Sequence, residues 1–306
     1  MARLFVPLLL VALTLPATAG PQDPPADRAP GLTIDFVATD RNGAPTDLKP
    51  DDVEISIGRF RVPIERLARI EPNKDDAPGR LIVLLLDDIS VPSSFIPRVK
   101  QIAQRFVTSL HPGDQMSIVT LSGTAMASTD DPAKLASAIS RYSPRANIAA
   151  RPDILNEDVL KNVAALSQQA REVSAGRKTV VAIGSGTLLD RPLPPPTYGR
   201  DLAPEWIAAM RALALAHVSF YVIDPAGVGG SPAYTGQDGF ARATGGRAFI
   251  GTNDFNAAVD RIMRDTGDFY VAAVPNPPNG SKTSLRELEI KVRRPGVTVL
   301  ARQAIP

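Results

Sequence analysis

Residues 81–88 read Leu-Ile-Val-Leu-Leu-Leu-Asp-Asp. Six apolar residues in a row leave no polar face, so a strand made from them must be covered on both sides. Strands of that kind lie inside parallel sheets flanked by helices. The run ends on two carboxylates, Asp87 and Asp88. A parallel strand delivers its last residues to the sheet edge at which open α/β folds carry their sites.

Downstream the chain alternates between helix-like and strand-like segments. Val99, Ile102, Phe106 and Leu110 recur on one face of a helix predicted over 98–110. Pro112-Gly113 breaks it, and 116–121 reads as the next strand, with 125–128 as a short edge strand. Helices are expected over 132–141 and 153–173, a buried strand over 179–183, a helix over 202–215 and a strand over 217–223. A short helix around Phe240, a strand over 247–250 and a helix over 254–264, capped by Asn253, complete the series. Ser90, Ser93 and Ser94 are expected to cap the first helix. This alternation predicts an α/β fold over 80–268, a doubly wound, mostly parallel, Rossmann-like sheet.

The flanks differ. Over 31–70, Leu32, Ile34 and Phe36, then Val53, Ile55 and Ile57, keep a two-residue period, and Asn42-Gly43 suits a tight hairpin turn. Residues 269–306 hold three strand-like runs and no helix. The two flanks are expected to pair as a small accessory β unit. Residues 1–19 combine Arg3, an apolar run from Leu4 to Leu15 and the small residues Ala17 and Ala19, the pattern of a secretory signal cleaved after Ala19. That run is short for ~30 Å of hydrocarbon, which disfavours a membrane anchor. The Pro-rich residues 20–30 read as a tether.

Composition narrows the chemistry. Without Cys there is no disulfide, thiolate or lipidated start. Loss of residues 1–19 removes Arg3 from 34 Lys+Arg and leaves 33 against 32 Asp+Glu. A balance that even, with scattered charges, lacks the basic footprint that nucleic acid or an anionic membrane requires. No phosphate-binding loop is present: Gly227-Val-Gly229-Gly230 lacks the Lys-Ser/Thr and the Gly spacing. Only His111 and His217 could serve as an imidazole base. Gly184-Ser185-Gly186 is only a faint nucleophile elbow.

Taken in order, Leu86-Asp87, Pro112-Gly113-Asp114, Gly176-Arg177-Lys178, Tyr221 to Pro225 and Ala243 to Gly246 resemble the von Willebrand factor A-related proteins of bacteria. Asp40 to Pro45 and Val292 to Val297 extend the resemblance to the flanks. It implies a Rossmann-like sheet of the VWA type, whose upper edge often carries a metal-ion-dependent adhesion site. That site uses Asp-x-Ser-x-Ser, a Thr from a later loop and a further Asp around Mg²⁺, ligand types that suit a hard cation. Here the two Ser positions after Asp87 are Ile89 and Val91. Counting from Asp88 instead gives Ser90 and Pro92, and the Thr loop reads Ser143-Pro-Arg-Ala-Asn147. The last Asp falls at Gly184-Ser185-Gly186, with Asp190 four residues too far.

The expectation is therefore an exported, periplasmic or secreted protein-interaction module without a cofactor, a degenerate adhesion site and no enzymatic activity. It would meet an unidentified protein partner through Asp87, Asp88, Ser90, Ser185, Asp190 and the Pro-rich loop 190–200. Two rivals stand beside it. One is a metal-dependent adhesin with a reduced Mg²⁺ site at Asp87 or Asp88, aided by Ser90. The other is a hydrolase using Ser185 or His217.

Overall fold

A computed structural model describes residues 31–71, 79–145, 152–173, 175–184, 201–229, 235–276 and 285–305, with backbone alone at 152–155 and 235–238. The sequence segments 1–19 and 20–30, Ser185, Asp190 and the loop 190–200 lie outside the described residues. The first strands are β1 (Leu32–Thr39), β2 (Val53–Ile57), β3 (Phe60–Val62), β4 (Arg66–Ile70) and β5 (Leu81–Leu86). Then come α1 (Ile96–Thr108), β6 (Gln115–Thr120), α2 (Pro132–Arg141), α3 (Pro152–Arg171), β7 (Lys178–Ile183) and α4 (Ala203–Leu215). The series continues with β8 (Val218–Ile223), α5 (Thr235–Ala243), β9 (Ala248–Phe249) and α6 (Phe255–Gly267). It closes with β10 (Phe269–Val274), β11 (Arg286–Val292), β12 (Thr298–Ala301) and β13 (Ala304–Ile305).

The Leu81–Leu86 strand is central, as its composition requires. All six residues are buried, and β5 pairs in parallel with β6 on one side and β7 on the other. The sheet runs β6-β5-β7-β8-β9 with all four pairings parallel, so the chain winds outward in both directions from the β5/β7 junction. Alternate β5 residues feed two cores. Leu81, Val83 and Leu85 pack with α3, α4 and α5, while Ile82, Leu84 and Leu86 pack with α1, α2 and α6. The expected edge segment is present as an antiparallel ribbon on β6, made by bridges Met116–Thr129 and Val119–Ala125.

The flanks do pair, and they build more than a small appendage. Two four-stranded antiparallel sheets, β12-β1-β10-β4 and β13-β11-β2-β3, enclose a shared core of Ile34, Phe36, Ile55, Ile57, Tyr270 and Leu288, among others. The Asn42-Gly43 turn forms, with Gly43 at φ 75° and the Asp40 carboxylate accepting the Asn42 and Ala44 amides. It closes only a Thr39–Pro45 bridge, because β1 pairs with β10 and β12 while β2 joins the other sheet. Tyr270 pins the crossing between them: its hydroxyl donates to the Thr46 carbonyl (2.8 Å) and accepts from the Leu48 amide (2.8 Å).

Several motifs singled out in the sequence turn out to be packing devices. A Cβ on Gly246 would meet the Phe220 carbonyl oxygen at 1.8 Å, so the Ala243 to Gly246 turn owes its glycine to the close approach of β8. Thr244 bridges to Arg302, which brings the C-terminal strands against α5. Two capping expectations need correction. Ser93 lies in a 3-10 turn, α1 starts after Phe95, and neither element has a side-chain cap hydrogen bond. Asp254, not Asn253, caps α6 by accepting from the Ala257 amide (2.9 Å), while Asn253 accepts from the Val228 amide (3.2 Å).

Candidate functional site

The carboxyl ends of β5 and β7 bring Asp87, Asp88 and Gly184 together at the point from which the sheet winds both ways, where open α/β folds place ligands. Asp87 is 3% exposed and Asp88 4%. Their oxygens are already in use. Asp87 Oδ1 accepts from the amides of Ile89 (3.0 Å) and Ser90 (2.7 Å), and its Oδ2 accepts from the Ser90 hydroxyl. Asp88 Oδ1 accepts from the Ser122 amide (3.0 Å) and Oδ2 from the Ser122 hydroxyl (2.5 Å), which ties the loop after β5 to the loop after β6. The Tyr142 hydroxyl donates to the Asp87 carbonyl at 2.6 Å.

The residues that follow these carboxylates explain the missing hydroxyls. Ile89 packs against the core on one face of the sheet, and Val91, 4% exposed, belongs to the core on the other. Positions at which a metal site needs oxygen ligands have become anchors that fasten one loop to both cores. Gly184 completes the enclosure, since a Cβ there would lie 2.3 Å from the Asp87 Cβ and 2.7 Å from its Oδ2.

A protein cation stands at this edge. Arg145, from the segment in which the resemblance places a Thr ligand, brings Nε to 3.6 Å from Asp88 Oδ2, and its amide donates to the Asp88 carbonyl (2.8 Å). Its side chain remains 46% exposed. At the end of β8, Asp224 is 1% exposed; Oδ1 accepts from the Ala226 amide (2.9 Å), and Oδ2 has no hydrogen-bond partner among the described residues. Burial pushes the Asp87 and Asp224 carboxyls above their ordinary range, against the hydrogen bonds that favour their charged forms. Burial, with the Asp87 and Asp88 charges, raises the Tyr142 hydroxyl as well.

A metal-ion-dependent adhesion site does not fit these residues. The Asp87 oxygens are held by three donors, and Ile89 and Val91 offer no ligand atom. Among the described residues no group of three His, Asp or Glu side chains could hold an ion. Of the sequence candidates, Asp87, Asp88 and Ser90 are thus brought together. Sequence reasoning missed Ser122, Tyr142 and Arg145, although the place of Ser122 immediately beyond a neighbouring parallel strand is a signal that could have found it. His217 is exposed, sits at φ 54° before β8, and lies at the amino end of the sheet. A six-residue strand, about 20 Å, separates that end from the one at Gly184.

No family model matches the sequence, and no curated protein matches it. In its motif order and doubly wound sheet the chain resembles the von Willebrand factor A-related proteins of bacteria. Similar solved structures include an aerotolerance-related membrane protein from Bacteroides fragilis NCTC 9343, at 15% identity and TM-score 0.42, over 61% of this chain and 98% of that one. The pilus adhesin SpaC from Lactobacillus rhamnosus GG is similar at 9% identity and TM-score 0.42, over 84% of this chain and 48% of its own. A D319A mutant of the PilB minor pilin from Streptococcus sanguinis is similar at 12% identity and TM-score 0.37, over 63% of each chain. The chain spans less than two thirds of the length of either pilus protein. Among the described residues no helix is long and apolar enough to cross a membrane.

Proposed function

We propose that this chain is an exported interaction module of the VWA type that binds a protein partner at the carboxyl edge of its parallel sheet, without an obligatory metal ion and without catalysis. The observation that carries the reading is the internal satisfaction of Asp87 and Asp88 by Ser90, Ser122 and backbone amides. Carboxylates held in this way shape a surface instead of coordinating an ion. Arg145 supplies that surface with a half-exposed positive charge held beside Asp88.

Calorimetric titration of Mg²⁺ and Mn²⁺ into the purified protein tests the metal-free part. No binding is expected below millimolar concentrations; sub-millimolar binding abolished by Asp87→Ala would establish the reduced adhesion site instead. Affinity capture from the native envelope, with and without chelator, tests the interaction. Capture should survive the chelator and weaken in an Asp87→Ala/Asp88→Ala variant. A hydrolase screen returning activity that Ser185→Ala or His217→Ala removes would overturn the non-catalytic reading.

A further inference from the structure

Beside β6, a cleft of ≈ 110 Å³ opens between α3 and the face of the parallel sheet that α3 covers. Its floor is Leu81, Val83 and Leu85 of β5 with Val119 of β6, and its roof is Leu166 and Ala170 of α3. Small residues keep it open: Gly123, Ala125 and Ala127 of the antiparallel ribbon form its rim, and both alanines are exposed. Met126 lies among them, a flexible side chain that can adapt to an occupant.

We infer that this cleft binds a small uncharged ligand with an apolar body, the size of one ring or a short alkyl chain, and one hydrogen-bonding end. Size sets the body, since an apolar cavity of ~150 Å³ accommodates benzene. Charge is set by the lining, which among the described residues contains no Asp, Glu, Lys, Arg or His. A carboxylate or ammonium would lose its hydration there without a counter-charge. The polar end is set by which lining groups are free. Asn162 donates to the Leu121 carbonyl (2.9 Å), Ser117 donates to the Met126 carbonyl (2.6 Å), and Thr120 pairs with Ser122. The Gln169 amide and the Ser128 hydroxyl make no such bond among the described residues, and together they offer both donors and an acceptor. The cleft meets the proposed edge at the Thr120–Ser122 contact, but its occupancy is read without a protein partner, so either reading can fail without the other.

The test is methyl NMR of the full chain, reading Met126, with toluene, 1-butanol and butyrate as probes at neutral pH. Toluene and 1-butanol should shift the Met126 methyl saturably, and butyrate should not. Ala170→Leu, which fills the cleft, should weaken both responses at least tenfold. Should that core variant fail to fold, Ala127→Leu at the exposed rim gives the same reading. Equal titration by butyrate, or unchanged affinity in a folded filled variant, overturns the inference. An absence of saturation by either neutral probe also overturns it and leaves the cleft to a partner's apolar side chain.

Discussion

The two ends of the parallel sheet handle buried charge in opposite ways. At the amino end three arginines are almost fully enclosed: Arg80 at 6% exposure, Arg177 at 3% and Arg302 at 4%. Each meets a carboxylate. Arg80 forks onto Asp114 and also donates to the Met263 carbonyl (2.9 Å). Asp35 of β1 lies between Arg177 (3.5 Å) and Arg302 (2.9 Å), and Arg177 stacks over Phe269 at 4.7 Å. At the carboxyl end the buried groups are carboxylates: hydroxyls and amides satisfy Asp87 and Asp88, Asp224 is satisfied at one oxygen, and Arg145 beside Asp88 is half exposed. The Asp35–Arg177 pair at the amino end ties the antiparallel unit to the α/β unit, whereas at the other end Arg145 holds its charge half exposed to water.

The sharpest break of that contrast is Asp35→Ala. It leaves two enclosed guanidiniums without their carboxylate, and removing one partner of a buried pair costs about 3–5 kcal/mol. Urea unfolding should show that loss, against about 1 kcal/mol for Asp88→Asn, which keeps an oxygen for Ser122. Equal losses at the two ends would remove the distinction.

Acid should separate the ends by sign. The Arg302 and Arg177 charges overcome burial and hold Asp35 at about 2, below its ordinary 3.8. Its contribution is therefore complete above pH 3.8 and is lost as pH falls through 2, an effect on the order of 2 kcal/mol. Asp87 and Asp224 are raised, so the folded state binds their protons first, and stability rises as pH falls from their folded pKa values toward 3.8. Unfolding followed from pH 7 to 2 should show a rise that Asp87→Asn reduces and a later loss that Asp35→Asn reduces.

Gly184→Ala probes how tightly the carboxyl edge is closed. The added Cβ must push aside the Cβ of Asp87, so a loss of about 1–3 kcal/mol is expected, read as a lower melting temperature. A neutral result would mean that the loop after β5 has slack, and room beside Asp87 would then exist.

How much of this was legible in the sequence follows from the range of the interactions. The Leu81–Leu86 run announces a central strand because its own composition demands cover on both faces. Its last residues locate the candidate edge for the same reason. The partners of Asp87 and Asp88 are another matter: Ser122 is 34 residues from Asp88, and Tyr142 is 55 from Asp87. Only the folded sheet brings them together. The Asn42-Gly43 turn was readable as a turn, but strand pairing over more than 200 residues decided that β1 would join β10. Pro-Gly-Asp and Gly-Arg-Lys were visible as motifs, yet their work is to place Asp114 and Arg177 in enclosed ion pairs with Arg80 and Asp35.

The smallest stability effect belongs to the residue with the largest proposed role at the edge. Arg145 faces water with nearly half its side chain, and its contact with Asp88 is 3.6 Å long. Exposed ion pairs contribute little, so Arg145→Ala should change unfolding by less than about 0.5 kcal/mol. Asp88 keeps its Ser122 amide and hydroxyl, and the Arg145 amide that meets the Asp88 carbonyl is unaffected by the substitution. The same variant should lose most partner capture from the envelope, and Arg145→Lys should restore only part of it, because an ammonium lacks the planar fork of a guanidinium. A stable Arg145→Ala protein that still captures its partner in full would move the binding surface away from this edge. A variant that loses stability and capture together would make Arg145 a structural brace, and the two ends of the sheet would then differ less than their burial suggests.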